Sequence, residues 1–129
     1  MKKIILAVDD APSILGIIES IFKSKYQVIL KQNGKDALDW LQEGNFPDII
    51  ITDLKMPEID GWQFLHHLKS SGYFKNIPVL VLSGNEKSDD RIQILQNGAE
   101  DVLVKPFNPI ELLLRVENIL KRIEEINIK

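Results

Sequence analysis

Four short apolar runs each end in polar residues that suit one chemistry. Asp9-Asp10 follows Ile4 to Val8, and Asp53 follows the run Ile49-Ile50-Ile51-Thr52. Ser83 closes the run 77–82, and Lys105 closes the run 101–104. A carboxylate at the mouth of an apolar strand is costly to desolvate, so it lies at a rim or has a partner. Taken alone, Asp53 has a plainer reading as a helix cap or the start of a turn, with Pro57 stopping regular continuation soon after. Brought together, three carboxylates repel one another and need a raised pKa or a cation between them. Magnesium is the natural candidate, a hard ion that takes oxygen ligands and keeps positions open for phosphate. Lys105 and Ser83 would add a positive charge and a hydroxyl donor on the far side of Asp53. Such a set suits phosphoryl transfer, which depends on positioning and on neutralising the phosphoryl oxygens. Asp53 would then be the nucleophile, giving an aspartyl-phosphate.

Whether these residues meet depends on the elements that carry them. The runs 4–8, 49–51 and 77–82 are dense in β-branched and apolar residues and read as strands buried on both faces. Residues 26–30 and 101–104 read as two further strands. Between them lie helical patterns. Ile14, Ile17, Ile18 and Ile21 recur at helical spacing after Asp10, the expected N-cap, and Pro12. Asn33-Gly34 opens a helix with Ala37, Leu38 and Leu41 inward and Gly44 closing it. Asp60-Gly61 opens a third, carrying Phe64, Leu65 and Leu68. Ser88 caps a fourth over residues 89–97, whose apolar face is little more than Ile92 and Leu95, so it is expected to be the most weakly held. Asn108, Pro109 and Glu111 give the last helix the strongest start signal, with Phe107 and Leu112 as a hydrophobic staple. Its core stripe is Leu113, Val116, Leu120 and Ile123; Leu114, Ile119 and Ile126 widen it, read as flank packing ahead of a dimer surface.

Five strands alternating with five helices predict an α/β fold, a doubly wound five-stranded parallel sheet with right-handed crossovers. Placing the most apolar strands centrally gives the flavodoxin-like order 2-1-3-4-5. Ligands in such sheets bind beyond the carboxyl ends of the strands, at the switch point between strands 1 and 3. With neighbouring strands about 4.8 Å apart, Asp53 falls beside Asp9-Asp10, and Lys105 starts roughly 10 Å from it, within reach of a long side chain.

Composition narrows the class. The 129 residues are 44% hydrophobic and 27% charged, as in one ordinary globular domain. A net charge of -3 argues against direct nucleic-acid binding, and the absence of cysteine excludes disulfides and thiolate chemistry. The apolar run after Met1-Lys2-Lys3 is too short for a signal peptide, and no stretch approaches a membrane span, so a cytoplasmic location is expected.

Asp9-Asp10, Asp53-Leu54-Lys55-Met56-Pro57, Asp60-Gly61, Ser83-Gly84 and Lys105-Pro106-Phe107, in this order and each after its strand, resemble the receiver domain of two-component response regulators. The resemblance covers nearly the whole chain and is closest to stand-alone, chemotaxis-regulator-like receivers. It implies a phosphorelay switch rather than an enzyme, with Asp53 accepting phosphate from a sensor histidine kinase, a phosphotransfer protein or a small phosphodonor. Asp10 would ligate Mg2+ directly and Asp9 largely through water, with Asp53 and the Lys55 backbone carbonyl completing the protein's share. Ser83 would bond a phosphoryl oxygen, Lys105 would pair with the phosphoryl charge, and the Lys105-Pro106 bond would be cis. The family further implies a partner face on helix 4, strand 5 and helix 5, an unknown downstream protein target, and a monomer or weak homodimer.

One position departs from the pattern. Receivers of the chemotaxis type usually carry an aromatic switch residue where this chain has Val102, so an aromatic rotation coupled to phosphorylation has no obvious agent here. Lys55 and Asn85 fall where family members vary and tune acyl-phosphate lifetime. A haloacid-dehalogenase-like phosphatase would need an acid where Lys55 stands, and the acidic loop after strand 1 is hostile to a flavin phosphate. A degenerate receiver used only for binding would lack a key residue, and none is missing. His66 and His67 diverge by about 100° on a helix and read as a solvated pair, and Trp40 and Trp62 as flank packing. The last helix runs to the end of the sequence near Lys129, which leaves a stand-alone receiver or one cut from a longer regulator.

Overall fold

Among the described residues, strands and helices alternate along the chain. In a computed structural model, which describes residues 1–84 and 88–128, they are β1 (Ile4–Val8), α1 (Pro12–Phe22), β2 (Gln27–Lys31), α2 (Gly34–Gln42) and β3 (Ile49–Asp53). There follow α3 (Gly61–Ser70), β4 (Val79–Ser83), α4 (Ser88–Gln96), β5 (Asp101–Val104) and α5 (Pro109–Ile128). Asn85 and Lys129 lie outside the described residues, and α4 begins at Ser88 itself, so the expected cap is instead the first helical residue.

All strand pairs are parallel and the sheet order is β2-β1-β3-β4-β5, as the apolar runs predict. The period of two along each strand divides the core. Ile5, Ala7, Ile49, Ile51, Leu80 and Leu82 pack with α1 and α5, against Leu15, Ile18, Phe22, Leu112 and Val116. Leu6, Val8, Ile50, Val79 and Val81 face the other way, toward Ala37, Leu41, Phe64, Leu65, Leu68 and Ile94.

Helix starts follow side-chain chemistry. Asn33 accepts from the Asp36 amide at 2.8 Å, and Asp60 and Gln63 form a reciprocal capping box. Asn108 accepts from Ile110 at 2.8 Å, while Phe107 and the buried Leu112 share one core cluster. Gly44 and Gly98, just past α2 and α4, have φ of 103° and 104°, the left-handed conformation that ends helices.

Some expectations are corrected. Ala11, not Asp10, is the N-cap of α1, because Asp9 turns back to accept from the Ala11 amide at 2.9 Å. β2 is shifted by one residue to Gln27–Lys31, leaving Tyr26 to set its ring edge-on against Phe22. In α4 the buried anchor is Ile94, fully enclosed, whereas Ile92 and Leu95 are about half exposed. The helix is rotated so that one isoleucine, not an i, i+3 pair, meets the sheet. In α5, Ile119 is core; Leu114 and Ile126 are exposed. In α1, Ile17 is partly exposed, and Leu15 and Phe22 carry the packing with Ile18.

Candidate functional site

The sheet delivers its polar ends to one rim. Asp53 is the last residue of β3 and pairs in register with Leu82, and Ser83 pairs with Val104. Asp9 continues the β1–β2 ladder through its amide on the Lys31 carbonyl at 3.1 Å. The Lys105 amide donates to the Ser83 carbonyl at 2.7 Å, and the Lys105–Pro106 peptide is cis.

Asp9, Asp10 and Asp53 each place a carboxylate oxygen within 4.8 Å of the others. Asp9 is fully buried, Asp53 nearly so, and Asp10 exposed. The gap from β5 is closed by the Lys105 side chain, whose Nζ lies 2.9 Å from Asp9 Oδ2 and 3.3 Å from Asp53 Oδ2. Asp53 Oδ1 accepts from the Leu54 amide at 2.8 Å.

Burial pushes the Asp53 carboxyl above the usual carboxylate range, aided by the Asp9 charge and opposed by Lys105 and the Leu54 amide. Burial works against the Lys105 charge too, but its hydrogen bond to Asp9 and the charges of Asp53 and Asp9 prevail and raise its pKa. Two like charges 4.8 Å apart repel by about 3 kcal/mol at an effective dielectric of 20. One lysine against three carboxylates leaves two negative charges at the rim, a deficit that a divalent cation matches in charge and in ligand chemistry. The acidic cluster is therefore able to hold a metal.

These groups open into a cleft of about 680 Å³ lined by Asp10, Asp53, Ser83 and Lys105, placed at this rim by the strand pattern, and by Lys55 and Gly84, which belong to the motifs of the resemblance. Met56, Asp60, Trp62 and Asp90 also line it. Asp60 carries a legible helix-start signal, but nothing in the sequence pattern turns Asp90 of α4 toward the cleft. Trp62 both packs against the core and faces the cleft, so flank packing is only half of its placement. His66 and His67 are exposed and away from it. Between α5 and β5, Arg115 holds Asp101 through Nη1 at 2.8 Å and 3.0 Å, and it holds Glu111 through Nη2 at 2.9 Å, a brace that periodicity does not reveal.

The backbone at the cleft is packed to contact. The Gly61 amide donates to the Leu54 carbonyl at 2.7 Å, and a Cβ at Gly61 would overlap the Asp53 carbonyl and stand 2.5 Å from Leu54 Cα. Gly61 is needed for this approach of α3 to the strand end.

The parallel 2-1-3-4-5 sheet, the acidic rim and the opposing lysine are the arrangement that the resemblance to response regulator receivers implies. The chain belongs to the response regulator receiver domain family, whose profile matches residues 5–117. Membership places it in two-component phosphorelay signalling. It is 37% identical over 120 residues to the response regulator Rre1 of Synechocystis sp., covering 92% of this chain and 52% of that one. Among solved structures, the receiver domain of the Francisella response regulator 1452 superposes with a TM-score of 0.85 at 33% identity, covering 93% of this chain and 98% of that one. The chemotaxis response regulator CheY4 of Vibrio cholerae does so with a TM-score of 0.85 at 30% identity, covering 92% and 99%. The chain spans about half the length of the curated relatives it matches. Among the described residues, no helix is long and apolar enough to cross a membrane.

Proposed function

We propose that this domain is a magnesium-dependent phosphoacceptor switch, with Asp53 as the residue modified. The observation that carries this reading is the convergence of three carboxylates within 4.8 Å, with the Lys105 ammonium 3.3 Å from Asp53. A carboxylate oxygen of Asp53 attacks the phosphorus of a kinase or phosphotransfer phosphohistidine, or of a small acyl phosphate. The P–O bond to Asp53 forms as the bond to the imidazole nitrogen, or to the donor acyl oxygen, breaks. The donor leaves with its electron pair, and the product is 4-aspartylphosphate.

Asp9, Asp10, Asp53 and the Lys55 carbonyl would hold Mg2+, which when bound supplies positive charge to the phosphoryl oxygens. Lys105 supplies a second positive charge, and it must loosen from Asp9 or Asp53 to do so. Ser83, at the end of β4, donates its hydroxyl to a phosphoryl oxygen and passes the change to α4. The chain is a switch that assists its own phosphorylation and dephosphorylation, not an enzyme acting on a separate substrate. The output face is α4, β5 and α5, where Ile92 and Leu95 offer exposed apolar surface to a protein target. Val102 on β5 is buried and aliphatic, so this face is switched by movement of α4 rather than by rotation of an aromatic ring.

Transfer from acetyl phosphate tests the reading: a phosphoryl label that forms on wild type and is lost in Asp53→Asn, or in the presence of a chelator, supports it. Label that persists in Asp53→Asn overturns it.

A further inference from the structure

Residues 54–60 link Asp53 to α3 and carry Lys55 and Met56 past the cleft, and their course is fixed partly from a helix remote from the chemistry. Gly34, the first residue of α2, is buried, and a Cβ built there would lie 2.7 Å from the Ile59 carbonyl oxygen and 3.2 Å from Ile59 Cγ2. A backbone carbonyl cannot swing aside as the end of a long side chain can, so the segment itself would have to move. Backbone conformation does not demand a glycine at this position: among the described residues, positive φ occurs only at Gly44, Gly98 and Glu58. At a helix start, Asn33 already supplies the cap, and glycine adds nothing to helix formation. The space taken by Ile59 is what Gly34 answers to.

Glu58, the neighbour of Ile59, sits at φ 66°, an uncommon conformation for a residue with a Cβ. Such a conformation persists where the surroundings over-determine it. They do so on both sides, with Gly61 clasping Leu54 and Gly34 seating Ile59. Glu58 also lies within electrostatic reach of Lys35, the next residue of α2.

We propose that Gly34 is a positioning residue for the phosphoacceptor segment: its bare backbone seats Ile59 and sets where the Lys55 carbonyl and the Asp53 end of β3 stand toward a divalent cation. This rests on the reading of Asp53 as phosphoacceptor. The test is Gly34→Ala in the full chain beside Gly16→Ala, which makes the same change on α1 where no atom lies within 4 Å. Three readouts are taken: Mg2+ affinity from backbone amide shifts, the rate of phosphorylation by acetyl phosphate, and thermal stability. The expected result is Mg2+ binding weaker by about tenfold and slower phosphorylation in folded Gly34→Ala, with the amides of 54–60 shifted most, while Gly16→Ala binds Mg2+ and takes the phosphoryl group as wild type does. A Gly34→Ala protein that is less stable yet, while folded, binds Mg2+ as wild type does overturns the proposal. Should Gly34→Ala not fold, Ile59→Ala trims the side chain seated on Gly34 and leaves the carbonyl in place, and Mg2+ affinity and 54–60 amide shifts both unchanged there overturn it equally. Weakened Mg2+ binding in Gly34→Ala beside a wild type that takes no phosphoryl group upholds the positioning role and defeats the Asp53 reading instead.

Discussion

Lys105 lies closer to Asp9, at 2.9 Å, than to Asp53, at 3.3 Å, and Asp9 is the carboxylate sealed from solvent. The lysine is thus the counter-charge of a buried acid before it meets any phosphoryl group. Replacing it leaves Asp9 buried and unpaired, a change that costs 3–5 kcal/mol in fully buried pairs. Because the lysine is partly exposed, Lys105→Met is expected to lose about 2 kcal/mol in urea denaturation without divalent cations. Saturating Mg2+ should recover part of that loss by supplying charge beside the same carboxylates. A loss that ignores Mg2+ would separate Lys105 from the acidic cluster.

Asp53 sets a pH dependence whose sign follows from its raised pKa. The folded state holds the proton more tightly than the unfolded chain, so this group's contribution is favourable below the unfolded pKa, near 4, and is lost as pH rises through the folded value. At pH 7 the ionised carboxylate is a burden in the absence of a cation. Asp53→Asn should therefore melt at a higher temperature than wild type at pH 7 without Mg2+. The gap should narrow toward pH 4 and on adding Mg2+. A wild type more stable than Asp53→Asn at pH 7 without metal would mean that the ion pair with Lys105 outweighs burial.

Two glycines predict opposite outcomes for one substitution. Gly16 lies inside α1 with open space where a Cβ would go, so Gly16→Ala should add about 0.5–1 kcal/mol of stability. At Gly61 a Cβ would overlap the Asp53 carbonyl, so Gly61→Ala should cost about 2 kcal/mol or more and slow phosphorylation by moving the strand end. Thermal melts of the two variants side by side check this, and equal shifts would contradict it.

Lys55 is exposed at the cleft, where its ammonium can shield an acyl phosphate on Asp53. Lys55→Ala should shorten the acyl-phosphate lifetime severalfold, read as loss of label after the donor is removed. An unchanged rate would leave the lysine without a part in that lifetime.

The sheet was legible because burial on both faces forces an unbroken apolar run, and runs of different density rank central against edge strands. The rim followed from topology, since each polar residue stands at the end of its strand or directly after it. What escaped the pattern depends on rotation about a helix axis or on contact between backbones. In α4, three of nine residues are apolar and the spacing of Ile92 and Leu95 suggests a face, yet Ile94 meets the sheet. The cap of α1 was misplaced because Asp9, not Asp10, turns its carboxylate to the helix start. Asn33-Gly34 and Asp60-Gly61 read as helix starts, and they are, but both glycines also serve close approach, which no local pattern encodes.

Whether Asp53 is a magnesium-dependent phosphoacceptor is decided by intact mass after incubation with acetyl phosphate. Four samples suffice: wild type and Asp53→Asn, each with Mg2+ and with a chelator. The expected result is the gain of one phosphoryl group in wild type with Mg2+ and in no other sample. A gain that survives in Asp53→Asn, or one equally large under chelation, would contradict it.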